Sequence, residues 1–161
     1  MKSAYIETSI ISYLTARPSR DLRAAAWQQI TLQWWEHERQ NYELFSSELV
    51  LAEAGEGDKE AAKKRLAVLS DFPLLDITEE ASEFASSLVS KGGVPAHAEA
   101  DALHIATASI YAMDYLLTWN CRHIDNAARK PLIRSICSVA GYQYPEICTP
   151  LELLSLENNN V

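Results

Sequence analysis

The sequence predicts an α/β domain built on a mainly parallel sheet of four to five strands. Three observations carry that prediction. Short runs of β-forming residues alternate with longer stretches of helical periodicity. Breakers fall at the joints: Gly55 and Gly57, Pro73, Gly92 and Gly93, Pro95, Gly141 and Pro145. The chain has 161 residues and is 48% hydrophobic, enough for one domain with a sizeable core. Short strands separated by helices imply parallel β-α units, and hence a sheet covered on both faces.

The elements follow in order. A first strand runs from Ser3 to Ile6 and stops at Glu7. Thr8 and Ser9 are short hydroxyl residues suited to cap the helix that begins there. A helix follows over about Asp21 to Glu38, with Trp27, Ile30 and Trp34 at three- and four-residue spacing. Further strands are expected at Tyr42 to Phe45, Pro73 to Ile77, Tyr115 to Thr118 and, more weakly, Glu146 to Cys148. Further helices are expected at Ser47 to Ala54, Lys59 to Ser70, Thr78 to Lys91, Ala98 to Met113 and Pro131 to Ala140. There are no internal repeats and no low-complexity linkers. Residues 1–155 read as one domain and 156–161 as a frayed tail.

Composition narrows the function. The net charge is −8, which argues against coating nucleic acid through bulk electrostatics. The charge is uneven. Acids dominate from Glu36 to Glu60, whereas Arg122, Arg129, Lys130 and Arg134 face only Asp125 between Thr118 and Arg134. Arg17, Arg20 and Arg23 form a second basic cluster. Such patches suit a phosphate chain, and also suit an ordinary solvated face. Cys121, Cys137 and Cys148 are odd in number with no C-x-x-C pair, as in a cytoplasmic protein with reduced thiols. No apolar run reaches about 18 residues, and no basic stretch leads an apolar one, so neither a membrane helix nor a signal peptide is expected. Nucleotide-binding glycine loops are absent, and no Ser-His-Asp set stands at a nucleophile turn.

The carboxylates are the informative residues. In parallel α/β sheets, ligands bind at the carboxyl ends of strands, and Glu7 sits at such an end. Glu53 shares a helix face with Leu49 and Val50, unlike Glu48; it is either turned inward or solvated at the end of a short helix. Asp101 lies in the first turn of a helix apolar on most sides, on the row of Ile105, Ala108 and Ala112. There it is either a site acid or a cap. These three acids are 46 and 48 residues apart and come from three units, so they can converge at one end of a sheet. Clustered carboxylates repel unless a cation compensates them, and hard oxygen donors select Mg²⁺ or Mn²⁺. Asn120 follows the fourth strand, as an uncharged ligand or a turn cap, with His123 and Asp125 near enough to contribute instead. His104, one turn from Asp101, either orients a carboxylate, contacts substrate or is a hydrogen-bonded, partly buried residue. His37 and His97 read as surface or loop residues.

Four pieces in order, "YIETSIISYL", "SSELVLAE", "DALHIATA" and "LLTWNCRHI", resemble the PIN domain, and within it the VapC toxin ribonucleases of toxin–antitoxin pairs. The resemblance covers Tyr5 to about Ile124. It implies a three-layer α/β/α domain, metal-dependent RNA cleavage, frequent homodimers, and a small VapB-like antitoxin covering the site. Carried over, it implies that Glu7, Glu53 and Asp101 hold Mg²⁺ or Mn²⁺ and that Asn120 orients water or a ligand. Thr8 and Thr118 become supporting hydrogen-bond residues, and Arg17, Arg20 and Arg122 candidate contacts to the RNA backbone. Trp35, off the 27/30/34 stripe, is expected against a second subunit, the antitoxin or a neighbouring helix. Two departures stand out. Glu7 replaces the usual Asp, and Asn120 replaces a frequent fourth Asp. They leave a second reading, a non-catalytic PIN-like module binding RNA or a protein. A phosphatase would want D-x-D at the first strand end, which "IETS" lacks.

Overall fold

The computed structural model describes residues 1–155; the expected frayed tail, 156–161, lies outside the described residues. The elements are β1 (Lys2–Ile6), α1 (Thr8–Thr15), α2 (Leu22–His37), β2 (Tyr42–Ser47), α3 (Glu48–Ala54), α4 (Lys59–Leu69), β3 (Leu74–Leu75), α5 (Glu79–Ser90), α6 (Glu99–Ile110), β4 (Tyr115–Leu117), α7 (Lys130–Ala140) and β5 (Glu146–Cys148). All strand pairs are parallel, in the order β3-β2-β1-β4-β5. Strand β1 is central, with Ala4 opposite Leu44 on one side and Tyr115 on the other. A strand covered on both faces should be apolar at successive positions, and Ala4, Tyr5 and Ile6 are all fully buried.

The strand order places the helices. From β1 the chain steps to β2 and β3 in one direction, then returns to the other side of β1 for β4 and β5. Right-handed crossovers send those two series to opposite faces. Accordingly α1 packs on α2, α3 and α4, while α5 packs on α6 and α7. The result is a three-layer α/β/α domain. Its strand order reverses between β1 and β4, and in sheets of this kind the ligand crevice lies at that point, outside the carboxyl ends of the strands.

Local chemistry explains where the elements differ from expectation. Thr8 and Ser9 do not cap α1. Glu7 does, because its extended backbone (φ −79°, ψ 158°) turns the carboxylate back onto the Ser9 N–H at 3.1 Å. Ser47 caps α3, and the Ser46 hydroxyl donates to the Ile6 carbonyl at 3.0 Å. Helix α6 is buried from Ala102 to Ser109 except at Leu103, but ends at Ile110, not Met113. Ala112 has φ 52°, a left-handed conformation that no continuing helix permits. Strand β3 is two residues long, at the sheet edge. Trp35 packs within the chain, 5.9 Å from Phe72 and beneath the Arg39 guanidinium. The three cysteines are free. No helix among the described residues is long and apolar enough to cross a membrane.

Candidate active site

Three elements deliver carboxylates to the crevice. Glu7 is the first residue beyond β1, and its N–H still donates to the Leu117 carbonyl of β4 at 3.1 Å. Glu53 lies in the last turn of α3, which leaves the carboxyl end of β2 without a loop. Helix α6 precedes β4 and so runs back against it. Its first turn, with Asp101, therefore starts at the same end of the sheet. Glu7 is 5% exposed, whereas the Glu53 and Asp101 side chains are 28% and 20% exposed.

Burying a carboxylate is costly unless donors or a cation compensate it. Glu7 meets that demand through one oxygen. Its Oε2 accepts from the Ser9 N–H, the Ser9 hydroxyl and, at 2.7 Å, the Thr118 hydroxyl. Its Oε1 accepts nothing from the described residues. Glu53 shows the same division. Its Oε1 accepts from Thr8 Oγ1 at 2.6 Å and from His104 Nε2 at 2.7 Å, and its Oε2 accepts nothing from the described residues. Burial alone would raise the Glu53 pKa. The His104 hydrogen bond and charge, with Thr8, outweigh it, and the carboxyl is held below its ordinary value.

His104 is fully buried and engaged at both nitrogens. Nδ1 meets the Tyr5 hydroxyl at 2.7 Å, and that hydroxyl meets Ser47 Oγ at 2.7 Å. Burial would lower the His104 pKa. The hydrogen bond to Glu53 and the charges of Glu7, Glu53 and Asp101 overcome this and raise it. Glu7, Glu53 and His104 each place one ligand atom within 4.8 Å of the others. His104 has no free lone pair to offer an ion while both its hydrogen bonds stand, so its part is to orient Glu53.

The far side of the crevice is looser. Asp101 lies outside that three-residue set, and its Oδ2 contacts His123 Nδ1 at 3.1 Å. His123 in turn packs edge-on against the exposed His97. Asn120 Oδ1 accepts the His123 N–H at 3.0 Å, so its amide oxygen closes a turn while its second lone pair and the NH₂ remain for other work. Asp125 does not take its place, because it is paired with Lys130 at 2.6 Å. Arg17, Arg20 and Arg122 are exposed and make no ion pair among the described residues.

The donors fit a hard divalent cation. Glu7 Oε1, Glu53 Oε2 and Asp101 Oδ1 take no hydrogen bond from the described residues, and all belong to acids at one end of the sheet. Tyr5, Ser9 and Ser47 were missed by sequence reasoning as parts of this arrangement. Ser9 carried the only local signal, two residues from Glu7; Tyr5 and Ser47 meet His104 only through the tertiary fold.

Similarity to known proteins agrees with this architecture. Two solved structures overlay the chain: VapBC2 from Rickettsia felis bound to a DNA fragment from its promoter, and VapC20 from Mycobacterium tuberculosis, a toxin that cleaves the sarcin–ricin loop. The first has a TM-score of 0.56 at 15% identity, covering 91% of this chain and 97% of that one. The second has a TM-score of 0.59 at 16% identity, covering 87% and 96%. At such identities the likeness establishes the fold. No curated protein matches the sequence at a significant level. A family model described as PIN domain matches residues 4–129, which include every acid of the crevice, and the chain therefore belongs to the PIN-domain family.

Proposed function

We propose that the protein is a metal-dependent endoribonuclease and the toxin of a toxin–antitoxin pair. One observation carries this reading. Acids from separate elements meet at the sheet's switch point, and Glu7 and Glu53 each have one oxygen fixed by donors and the other free. Glu7, Glu53 and Asp101 hold Mg²⁺ or Mn²⁺. When bound, the ion supplies the positive charge that a cleaving phosphodiester needs and makes water more acidic. The protein's own part is positioning. Thr118 and Ser9 hold Glu7, Thr8 and His104 hold Glu53, and His123 holds Asp101. The NH₂ of Asn120 is left to hold water or a phosphate oxygen. Arg17, Arg20 and Arg122, which make no ion pair among the described residues, are the cations assigned to the RNA backbone.

The structural likeness to a VapBC complex and to an RNA-cleaving VapC toxin supports this function and a small antitoxin partner. A homodimer and a cytoplasmic location belong to the same reading. A non-catalytic module binding RNA or protein is favoured by one feature, the uncharged Asn120 standing where a fourth acid is frequent.

Purified protein, freed of antitoxin, is incubated with mixed structured RNAs and Mg²⁺ or Mn²⁺, beside Asp101→Asn. Cleavage that vanishes in the variant supports the nuclease. Equal cleavage by both marks contamination and removes the claim. Absence of both cleavage and metal-dependent stabilisation selects the non-catalytic module.

A further inference from the structure

Helix α1 has two faces. Ile10 and Ile11 are buried, while Thr8, Ser9, Ser12 and Tyr13 lie on the opposite, polar side. Ser9, which holds Glu7, and Tyr13 are four residues apart, so they lie on one face about one turn, roughly 6 Å, apart. Tyr13 meets Trp27 edge-on at 5.6 Å and Trp119 at 6.3 Å, and those indoles stack at 4.8 Å. The Trp119 backbone N–H donates to Ser9 Oγ at 2.8 Å, while its indole N–H donates to Thr31 Oγ1, so the residue that carries one of these rings adjoins the acid site. Tyr13 itself stays partly exposed.

Beyond Tyr13 the chain turns from α1 into α2, and two adjoining cavities of about 300 and 360 Å³ share Tyr13, Ala16, Ser19 and Gln28. That is the size range of small-ligand sites, about 300–1,000 Å³. Gln28 pins the intervening loop, accepting the Ser19 N–H at 2.9 Å and donating to the Arg17 carbonyl at 2.8 Å. Arg17 lines one cavity, and exposed Gln29 lines the other with an amide that can donate and accept. Arg17 and Arg20 make no ion pair among the described residues, on a chain of net charge −8.

An aromatic wall, an amide and an unpaired guanidinium on a pinned loop match the parts of one nucleotide: a base face, a base edge and a phosphate. We propose that the α1–α2 corner holds one unpaired nucleotide of the RNA substrate, its base against Tyr13 and its phosphate on Arg17. The proposal rests on the ribonuclease reading and deepens it. The preferred substrate has a splayed-out base within one or two nucleotides of the cut.

Binding is measured in EDTA, so that nothing is cleaved, by anisotropy of a labelled single-stranded octaribonucleotide and of copies with an abasic site scanned along it. Tyr13→Leu is expected to weaken binding about fivefold or more, and Tyr13→Phe to keep it. An abasic site at one position costs wild type a similar factor and costs Tyr13→Leu nothing. Arg17→Ala lowers the salt slope by about one. Wild-type affinity in Tyr13→Leu, indifference to every abasic position, or no RNA binding by wild type overturns the proposal. So does loss of binding to a protein partner with RNA binding intact. If Tyr13→Leu fails to fold, the abasic scan on wild type and Arg17→Ala still decide. Base-dependent binding without cleavage under Mg²⁺ or Mn²⁺ breaks only the nuclease reading. Cleavage with no Tyr13 or abasic effect breaks only the nucleotide pocket.

Discussion

Glu7 and Glu53 are each held by donors from two separate parts of the chain, whereas Asp101 is held by a single contact, to His123 at 3.1 Å. Thr118 reaches Glu7 across β4 and Ser9 reaches it from α1. Thr8 reaches Glu53 from α1 and His104 from α6. An acid locked from several elements keeps its place only while the whole fold is closed. An acid held by one partly exposed histidine can shift without unfolding anything. The first wall is thus preorganised, and the second is free to adjust to what binds.

The largest effect should come from removing charge on either wall. Glu7→Gln and Asp101→Asn are each expected to lower the initial rate of RNA cleavage about a thousandfold, roughly 4 kcal/mol of transition-state stabilisation. If Asp101→Asn retained activity that Glu7→Gln lost, only the rigid wall would be at work.

Stability should separate the walls next. His104→Ala takes one of two hydrogen-bond partners from both the Tyr5 hydroxyl and Glu53 and leaves a buried void, and is expected to cost about 2–4 kcal/mol, a fall in melting temperature on the order of 10 °C. His123→Ala should leave melting within a few degrees and lower cleavage about 10- to 100-fold. Equal melting losses in the two variants would erase the distinction between the walls.

Metal provides a readout without cleavage. Mg²⁺ or Mn²⁺ at about 100 times its dissociation constant should add about 2.7 kcal/mol of stability, seen as a higher melting temperature. Glu7→Gln should abolish that rise, and His123→Ala should shift its midpoint about tenfold. A rise that persists in Glu7→Gln places the ion elsewhere.

The smallest effect tests the opposite end of the same strands. Asp114 accepts from the Ser3 N–H at 2.8 Å and from Lys2 and the Ser3 hydroxyl at 3.2 Å; these hydrogen bonds hold its pKa below the usual value despite some burial. A depressed carboxylate stabilises the fold above its unfolded pKa, near 3.9, and loses that contribution as the pH falls below it. Asp114→Asn should therefore flatten the acid limb of the stability profile in urea titrations and leave cleavage at neutral pH unchanged.

The sheet was legible because its strands are short apolar runs between breakers, and Glu7 and Asp101 stood out by position, one past a strand and one on a buried helix. The support of these acids was not legible. Tyr5 and His104 are 99 residues apart and meet only once β1 and α6 pack. Nothing in "YIETS" announces that Tyr5 anchors a histidine. Within the basic stretch from Thr118 to Arg134, which suited either a phosphate chain or a solvated face, Lys130 pairs with Asp125 and Arg134 lies 3.6 Å from Glu146. Fewer cations remain for a phosphate chain than the sequence suggested. Glu7 resisted a single label because it does two jobs, one oxygen capping a helix and the other facing the crevice.

The central place of β1 has a consequence in time. Glu7 leaves the ribosome early, yet the Thr118 hydroxyl that locks it is made 111 residues later. At about 5–20 residues per second, that is a delay of roughly 6–20 s. Throughout that interval the nascent chain carries its first acid without the strand that fixes it. On the proposed function, a chain that would cut RNA stays harmless to the machinery translating it until β4 and Thr118 have been made.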